Sequence, residues 1–295
     1  MTKLASALLA SASIMAASQA LAQDVVPQVS DSYFKQAQAE LDKIIARQPN
    51  TGKAKNVILF IGDGMGISTI TAARIYAGQS KGLDGESYQL AMEKLPWSAF
   101  SKTYTHDSQV ADSAPTAVAM TTGVKSYNGT LGVTQGANIR DCATAKTNGT
   151  TSLWEIAEDA GMATGVISTA RITHATPAAT YAETTERDWE SDKDVSAAGK
   201  AAGCVDIASQ LIAWQGAHGN GFDVILGGGR TNFLPNTVND PEYLKEKGNR
   251  LDGRNLVDEW KAAAPNRTAV IDRAGFNAFN WNSDGQIFGL AKINP

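Results

Sequence analysis

The sequence predicts an α/β fold with a mostly parallel central sheet flanked by helices, and three observations carry that prediction. Apolar runs of strand length at residues 56–61 (NVILFI), 164–169 and 222–226 alternate with segments of helical period. The first run is continuous rather than alternating, as expected of a strand buried on both faces. Each run leads into turn residues: Gly62-Asp63-Gly64-Met65-Gly66, a polar loop from Arg171, and Gly227-Gly228-Gly229. In folds of this class ligands lie beyond the carboxyl ends of the strands, so chemistry is expected in those turns.

Taken in chain order, residues 1–22 read as a secretory signal peptide. Lys3 supplies the positive start, residues 4–17 a short run rich in Leu, Ala, Ile and Met, and Ala20-Leu21-Ala22 the small-residue cleavage pattern before Gln23. The run is too short and too interrupted by serine to span a membrane. Export, to a bacterial periplasm, is the expectation, and residues 23–295 are then one α/β domain. An oxidising compartment lets Cys142 and Cys204 close a loop, and the sequence leaves open whether they do so or stay as two buried thiols.

Ser30 or Asp31 can cap a helix whose apolar face uses Phe34, Ala37, Leu41, Ile44 and Ile45, and which ends at Pro49-Asn50-Thr51-Gly52. The strand at 56–61 follows, and a helical pattern resumes near Ser68. Ser152 and Glu155 form a capping box for a helix ending at Gly161. The strand 164–169 comes next, then a helix over residues 205–214 and the strand 222–226. Residues 231–280 read as loops with one helix near residues 255–263. There is no internal repeat.

Composition narrows the function. With 43% hydrophobic residues in 295, the chain has ample material for a core. A net charge of -4 with scattered Lys and Arg excludes an electrostatic footprint for nucleic acid.

Three segments can carry chemistry. Asp63 is flanked by glycines directly after the apolar run. Gly-Asp-Gly is by itself a common turn, but a carboxylate at the end of a buried strand is costly unless it meets a cation. In Asp112-Ser113-Ala114-Pro115-Thr116-Ala117, Ser113 falls at the start of a helix that ends near Gly123. Backbone N–H groups there favour a phosphate, although Asp112 or Ser113 could simply cap the helix. His174 and Thr176 are two apart, so an extended segment would put both on one face, able to ligate a cation. Arg187 could grip two phosphate oxygens or sit in a salt bridge. His106 and His218 lie in polar segments with no assigned role.

Together these segments resemble the alkaline phosphatase family. The matching stretches are NVILFIGDGMG (residues 56–66), ADSAPTAVAMTTGVKSYNGTLGV (111–133), THATPAATYAETTERDWESD (173–192) and DVILGGGR (223–230). The resemblance implies hydrolysis of small phosphate monoesters at a site with two zinc ions and one magnesium ion. Asp63 would bridge a zinc and the magnesium, Ser113 would become the phosphoserine, and Arg187 would hold the phosphoryl oxygens. His174 and Thr176 would occupy the third-metal position, where an imidazole suits magnesium held through water or a transition metal in its place. The resemblance also implies a Cys142–Cys204 disulfide, a structural role for the glycine run, and a homodimer for an intact protein.

Family members continue beyond Pro295 and carry most zinc ligands there, whereas this chain has three histidines and no Asp-His pair after residue 230. The fold is therefore expected to be incomplete at its C-terminus, with an exposed sheet edge, and the chain alone to show little or no turnover. Two other classes compete. A non-catalytic fragment would bind metal or phosphate without turnover. A sulfatase-like relative would need an arginine where Ser113-Ala114-Pro115-Thr116-Ala117 has Ala117.

Overall fold

The computed structural model describes residues 27–291, so the signal peptide expected at residues 1–22 lies outside the described residues. The chain divides into two compact units, Met1–Ile61 and Gly62–Pro295.

In the first unit Asp31 caps helix α1 (Ser32–Ala46), its carboxylate accepting from Tyr33 N at 2.9 Å and Phe34 N at 3.0 Å. The expected helix forms, but Leu41, Ile44 and Ile45 of its apolar face are exposed. Residues 56–61 depart from expectation. They form no strand, and Val57, Ile58 and Phe60 are 81%, 78% and 89% exposed. An apolar run states a preference for burial, whereas a strand needs a neighbour for its N–H and C=O groups, and none of the sheet's ladders includes this segment.

The second unit holds a four-stranded sheet. Helices α2 (Ile67–Gln79), α3 (Ser113–Thr122), α4 (Cys142–Asn148) and α5 (Leu153–Asp159) precede strand β1 (Gly165–Arg171). Helices α6 (Ala175–Ala178), α7 (Ala197–Ala201) and α8 (Ile207–Ala217) lead to β2 (Val224–Gly228). Then come α9 (Leu256–Ala262), β3 (Arg267–Val270), α10 (Arg273–Ala278) and β4 (Gln286–Leu290). The strand order is β1-β2-β4-β3, and all three pairings are parallel. The α/β class is as the sequence predicts. The stretch 231–280 holds more order than expected, because β3 and α10 fall inside it. β3 has only four residues, too few for a period to show.

Every residue of β4 is buried, as an inner parallel strand requires. Phe288 on β4 meets Phe233 and Trp260 edge-on at 5.2 and 5.3 Å, and Trp214 stacks on Phe222 at 4.1 Å. Elsewhere the core is built from small side chains. Ala114, Ala117 and Val118 of α3 are buried in one cluster with Ala175 and Ala178 of α6. Small residues on both sides let the two helices approach closely, which draws the start of α3 towards the end of β1.

The glycine run ends β2 and turns the chain at Gly229. Gly229 has φ 85°, and a Cβ there would lie 2.8 Å from Arg171 Cβ, so only glycine lets the chain turn this close to β1. Cys142 and Cys204 form a disulfide with Cα atoms 5.5 Å apart, beside buried Trp189 and Val195.

The disulfide joins residues 62 apart, and removing it as Cys142→Ser/Cys204→Ser should lower the unfolding free energy by about 2–4 kcal/mol in a urea titration. A second expectation concerns Glu158, which is 2% exposed and accepts from Thr164. Burial raises its pKa above the ordinary 4.5, with the Thr164 bond opposing that shift. The folded state therefore favours the protonated form, and the stability this contributes is present below pH 4.5 and lost as pH rises through the raised value. The urea midpoint of Glu158→Gln, relative to the native chain, should rise as the pH is raised above 4.5.

Candidate active site

Ser113 is the first residue of α3, and Asp112 is the cap before it. One Asp112 oxygen accepts from Ala114 N at 2.6 Å, and the other accepts from Gly129 N at 2.6 Å. Gly123 closes the helix with φ 75°, where the sequence places its end. The cap holds the turn so that the Ser113 hydroxyl stands at the open N-terminal end of the helix.

Arg187 reaches this point from another segment. Its backbone N–H donates to Gly129 O at 2.8 Å. Its Nη1 lies 3.0 Å from Ser113 Oγ and 3.3 Å from Asp112 Oδ1, and its Nη2 lies 3.1 Å from His174 Nε2. The guanidinium is always protonated, so Arg187 donates and the imidazole Nε2 accepts. Burial lowers the His174 pKa, and the adjacent Arg187 charge lowers it further, so the ring is neutral. His174 Nδ1 is buried without a hydrogen-bond partner.

The expectation of an extended segment at residues 173–177 is corrected. His174 is the N-cap of the one-turn helix α6, and Thr176 lies inside that turn. Pro177 is tolerated there because the first turn of a helix leaves its N–H groups unbonded. The two side chains consequently part company. His174 turns to Arg187, while Thr176 Oγ1 donates to Asp63 Oδ2 at 3.0 Å. Asp63 itself sits in a tight turn with Gly64 at φ 65°. It does not follow a buried strand, because residues 56–61 form none.

The five residues singled out thus fall into two contacting sets, Ser113–Arg187–His174 and Asp63–Thr176, joined through α6. Among the described residues no group of three or more His, Cys, Asp or Glu side chains converges as a metal site. Of the unassigned histidines, His106 packs edge-on against Tyr127 at 4.9 Å, and His218 lies 3.3 Å from Asp159.

Two residues escaped the sequence reading. Asp112 reads in the sequence as a cap, yet the same carboxylate meets Arg187. Glu190 has no role in the sequence reading, yet it accepts from Arg171, Thr173 and Asn232. The one signal for Glu190 is its place beside buried Trp189, three residues after Arg187.

The sequence model of one family, Alkaline phosphatase, matches residues 54–292. The chain belongs to the alkaline phosphatase family. It is 48% identical over 228 residues to an alkaline phosphatase of Gadus morhua, covering 76% of this chain and 47% of that protein. It is 42% identical over 277 residues to the human tissue-nonspecific isozyme, covering 91% and 51%. The chain therefore spans about half the length of these relatives. Among solved structures it resembles the cold-active alkaline phosphatase of a psychrophilic Shewanella species, with TM-score 0.55 and 26% identity over 79% of this chain and 45% of that one. It also resembles the Thermus thermophilus alkaline phosphatase, with TM-score 0.53 and 25% identity over 78% and 38%. Both support the α/β fold with a parallel sheet.

The double duty of Asp112 is testable by chemical denaturation. Asp112→Ala removes the cap and leaves Gly129 N without its acceptor, and should cost about 1–2 kcal/mol, whereas Asp112→Asn keeps an oxygen for the cap and should cost less than about 1 kcal/mol.

Proposed function

We propose that this chain carries the nucleophile and the phosphate grip of a phosphate-monoester hydrolase that works through a phosphoserine on Ser113. The observation that supports this best is the 3.0 Å contact between Arg187 Nη1 and Ser113 Oγ at the first residue of a helix. A hydroxyl there lies where backbone N–H groups and a guanidinium converge, the environment an incoming phosphoryl dianion needs. Family membership supports the same reaction class.

In the first step Ser113 Oγ passes its proton to solvent water and attacks phosphorus. The Oγ–P bond forms, the bond from phosphorus to the ester oxygen breaks, and the departing alkoxide takes a proton from water. Water then attacks the phosphoserine, the Oγ–P bond breaks, Ser113 Oγ takes up the proton that water releases, and inorganic phosphate leaves. Arg187 donates to the equatorial oxygens, and Asp112 keeps the guanidinium aimed. His174, neutral and accepting, holds the other guanidinium nitrogen.

The family implies metals, and the residues fit them unequally. Thr176 Oγ1 donates to Asp63 Oδ2 at 3.0 Å, and two neighbouring oxygens are the donor type a hard cation such as magnesium takes. Asp63 and Thr176 would hold that ion, with the His174 ring nearby, and magnesium bound there supplies ordered water and offsets negative charge. Two zinc ions do not fit, because the described residues offer no group of three ligands for either.

The same reading takes residues 1–22 as a signal peptide and the bacterial periplasm as the location, which the Cys142–Cys204 bond supports. No helix among the described residues is long and apolar enough to cross a membrane.

The test is phosphate on the protein. Incubation with a radiolabelled phosphate monoester, acid quench and peptide mass spectrometry should place label on Ser113, and Ser113→Ala should take none. Arg187→Ala should weaken inorganic phosphate binding at least about tenfold in calorimetry. Phosphate binding without label would leave the non-catalytic reading. Neither binding nor label would overturn both.

A further inference from the structure

Glu190 is the most heavily bonded carboxylate near the site, and the reaction written above makes no use of it. Its Oε2 accepts from Arg171 Nε at 2.7 Å, Thr173 Oγ1 at 2.6 Å and Asn232 Nδ2 at 3.1 Å, and its Oε1 accepts from Arg171 Nη2 at 2.7 Å. These donors come from different places in the chain. Arg171 is the last residue of β1, Thr173 immediately precedes His174, and Asn232 lies in the turn after β2. Glu190 itself stands three residues after Arg187. One carboxylate therefore ties the segment that presents His174 to the segment that presents Arg187.

The ties are firm at both ends. The backbone around Glu190 is fixed because Ile207 N donates to Trp189 O at 2.8 Å and Ala208 N donates to Glu190 O at 3.2 Å. Asn232 is fixed in turn, its side-chain oxygen accepting from Asn249 at 2.9 Å. Burial opposes ionisation of Glu190, yet the Arg171 and Thr173 bonds outweigh it and hold the pKa below the ordinary carboxylate value. The bidentate pairing with Arg171 fixes orientation as well as distance. Arg187 must satisfy Ser113 at 3.0 Å and His174 at 3.1 Å together. A shift of about 1 Å between the two segments breaks one of those contacts, and misplacement on that scale is enough to spoil a site.

We propose that Glu190 is a positioning residue of the phosphate site: its carboxylate locks residues 171–174 to residues 187–190 and so sets the reach of the Arg187 guanidinium towards Ser113. The proposal rests on the reading of Ser113 and Arg187 as a phosphate site. It names a function for a side chain that touches neither substrate nor the reacting atoms.

The experiment is a double-mutant cycle read by calorimetry with inorganic phosphate, with a urea midpoint for every variant. The full chain is compared as native, Glu190→Gln, Arg187→Ala and the double variant. Glu190→Gln should weaken phosphate binding at least about fivefold in the native background and less than about twofold in the Arg187→Ala background, because coupled residues are non-additive. A purely structural role would lower the urea midpoint while leaving phosphate affinity unchanged, or would weaken binding equally in both backgrounds. Either result overturns the proposal. Should Glu190→Gln fail to fold, Thr173→Val removes one bond to the carboxylate at nearly constant volume. That variant should weaken phosphate binding about two- to threefold in the native background and not at all beside Arg187→Ala, and an equal effect in both backgrounds overturns the proposal. Native chain that binds no phosphate, or Arg187→Ala that binds it as well as native, sinks the phosphate site itself and this proposal with it.

Discussion

The Arg187 guanidinium is one positive charge shared among a carboxylate, a hydroxyl and an imidazole, and the geometry of the whole site depends on that sharing. Asp112 forms an ion pair with it at 3.3 Å. Both Asp112 oxygens are committed to backbone amides at 2.6 Å, while the contact to Arg187 is 3.3 Å. The shorter bonds to amides fix the carboxylate, so Asp112 aims the Arg187 guanidinium from a set position. A lysine could not replace it, because a single ammonium lacks the planar fork that meets Ser113 and His174 together.

The backbone that carries Arg187 is braced independently of its charge. Arg187 N is bonded to Gly129 O, Arg140 Nε reaches Glu186 at 2.6 Å, and Trp189 is buried against Cys142 and Val195 beside the disulfide. On the strand side, β1 is set by its pairing with β2 and by the close turn at Gly229. Two rigid supports thus face each other across a polar seam, with Glu190, Arg171 and Asn232 in it. A cleft of about 320 Å³ opens beside the seam, lined by Arg171, Asp188, Glu190, Asn232 and Lys247 among others. Polar groups at a partly open seam retain water on one side, which lowers the cost of assembling several charges there.

What the sequence made legible was local. The Ser152–Glu155 capping box, the Asp31 cap and the Gly123 terminus all lie where their residue types place them, because each is decided within one helical turn. The motifs around Asp63, Ser113, His174 and Arg187 identified the family, and the structure brings their side chains into two contacting sets. Legibility failed where the outcome depended on distant partners. Residues 56–61 have the composition of a buried strand but no ladder, and composition cannot supply a neighbour. β3 is short and gets its place from β4, with Ala269 opposite Phe288. Glu190 looks like any surface acid until three remote donors are seen on it.

The division of labour inside α6 follows from the same distinction. In an extended chain His174 and Thr176 would share a face and offer a mixed nitrogen and oxygen site. The helical turn sends them apart, and the chemistry separates with them. Thr176 donates to Asp63, which leaves two neighbouring oxygens on that side. His174 is left to Arg187, where burial and the neighbouring positive charge both disfavour its protonation. A charged imidazole 3.1 Å from a guanidinium would set two cations against each other, and a neutral one accepts a bond instead. The single turn of α6 therefore separates the Asp63–Thr176 oxygen pair from the guanidinium–imidazole pair, with Ser113 beside the second.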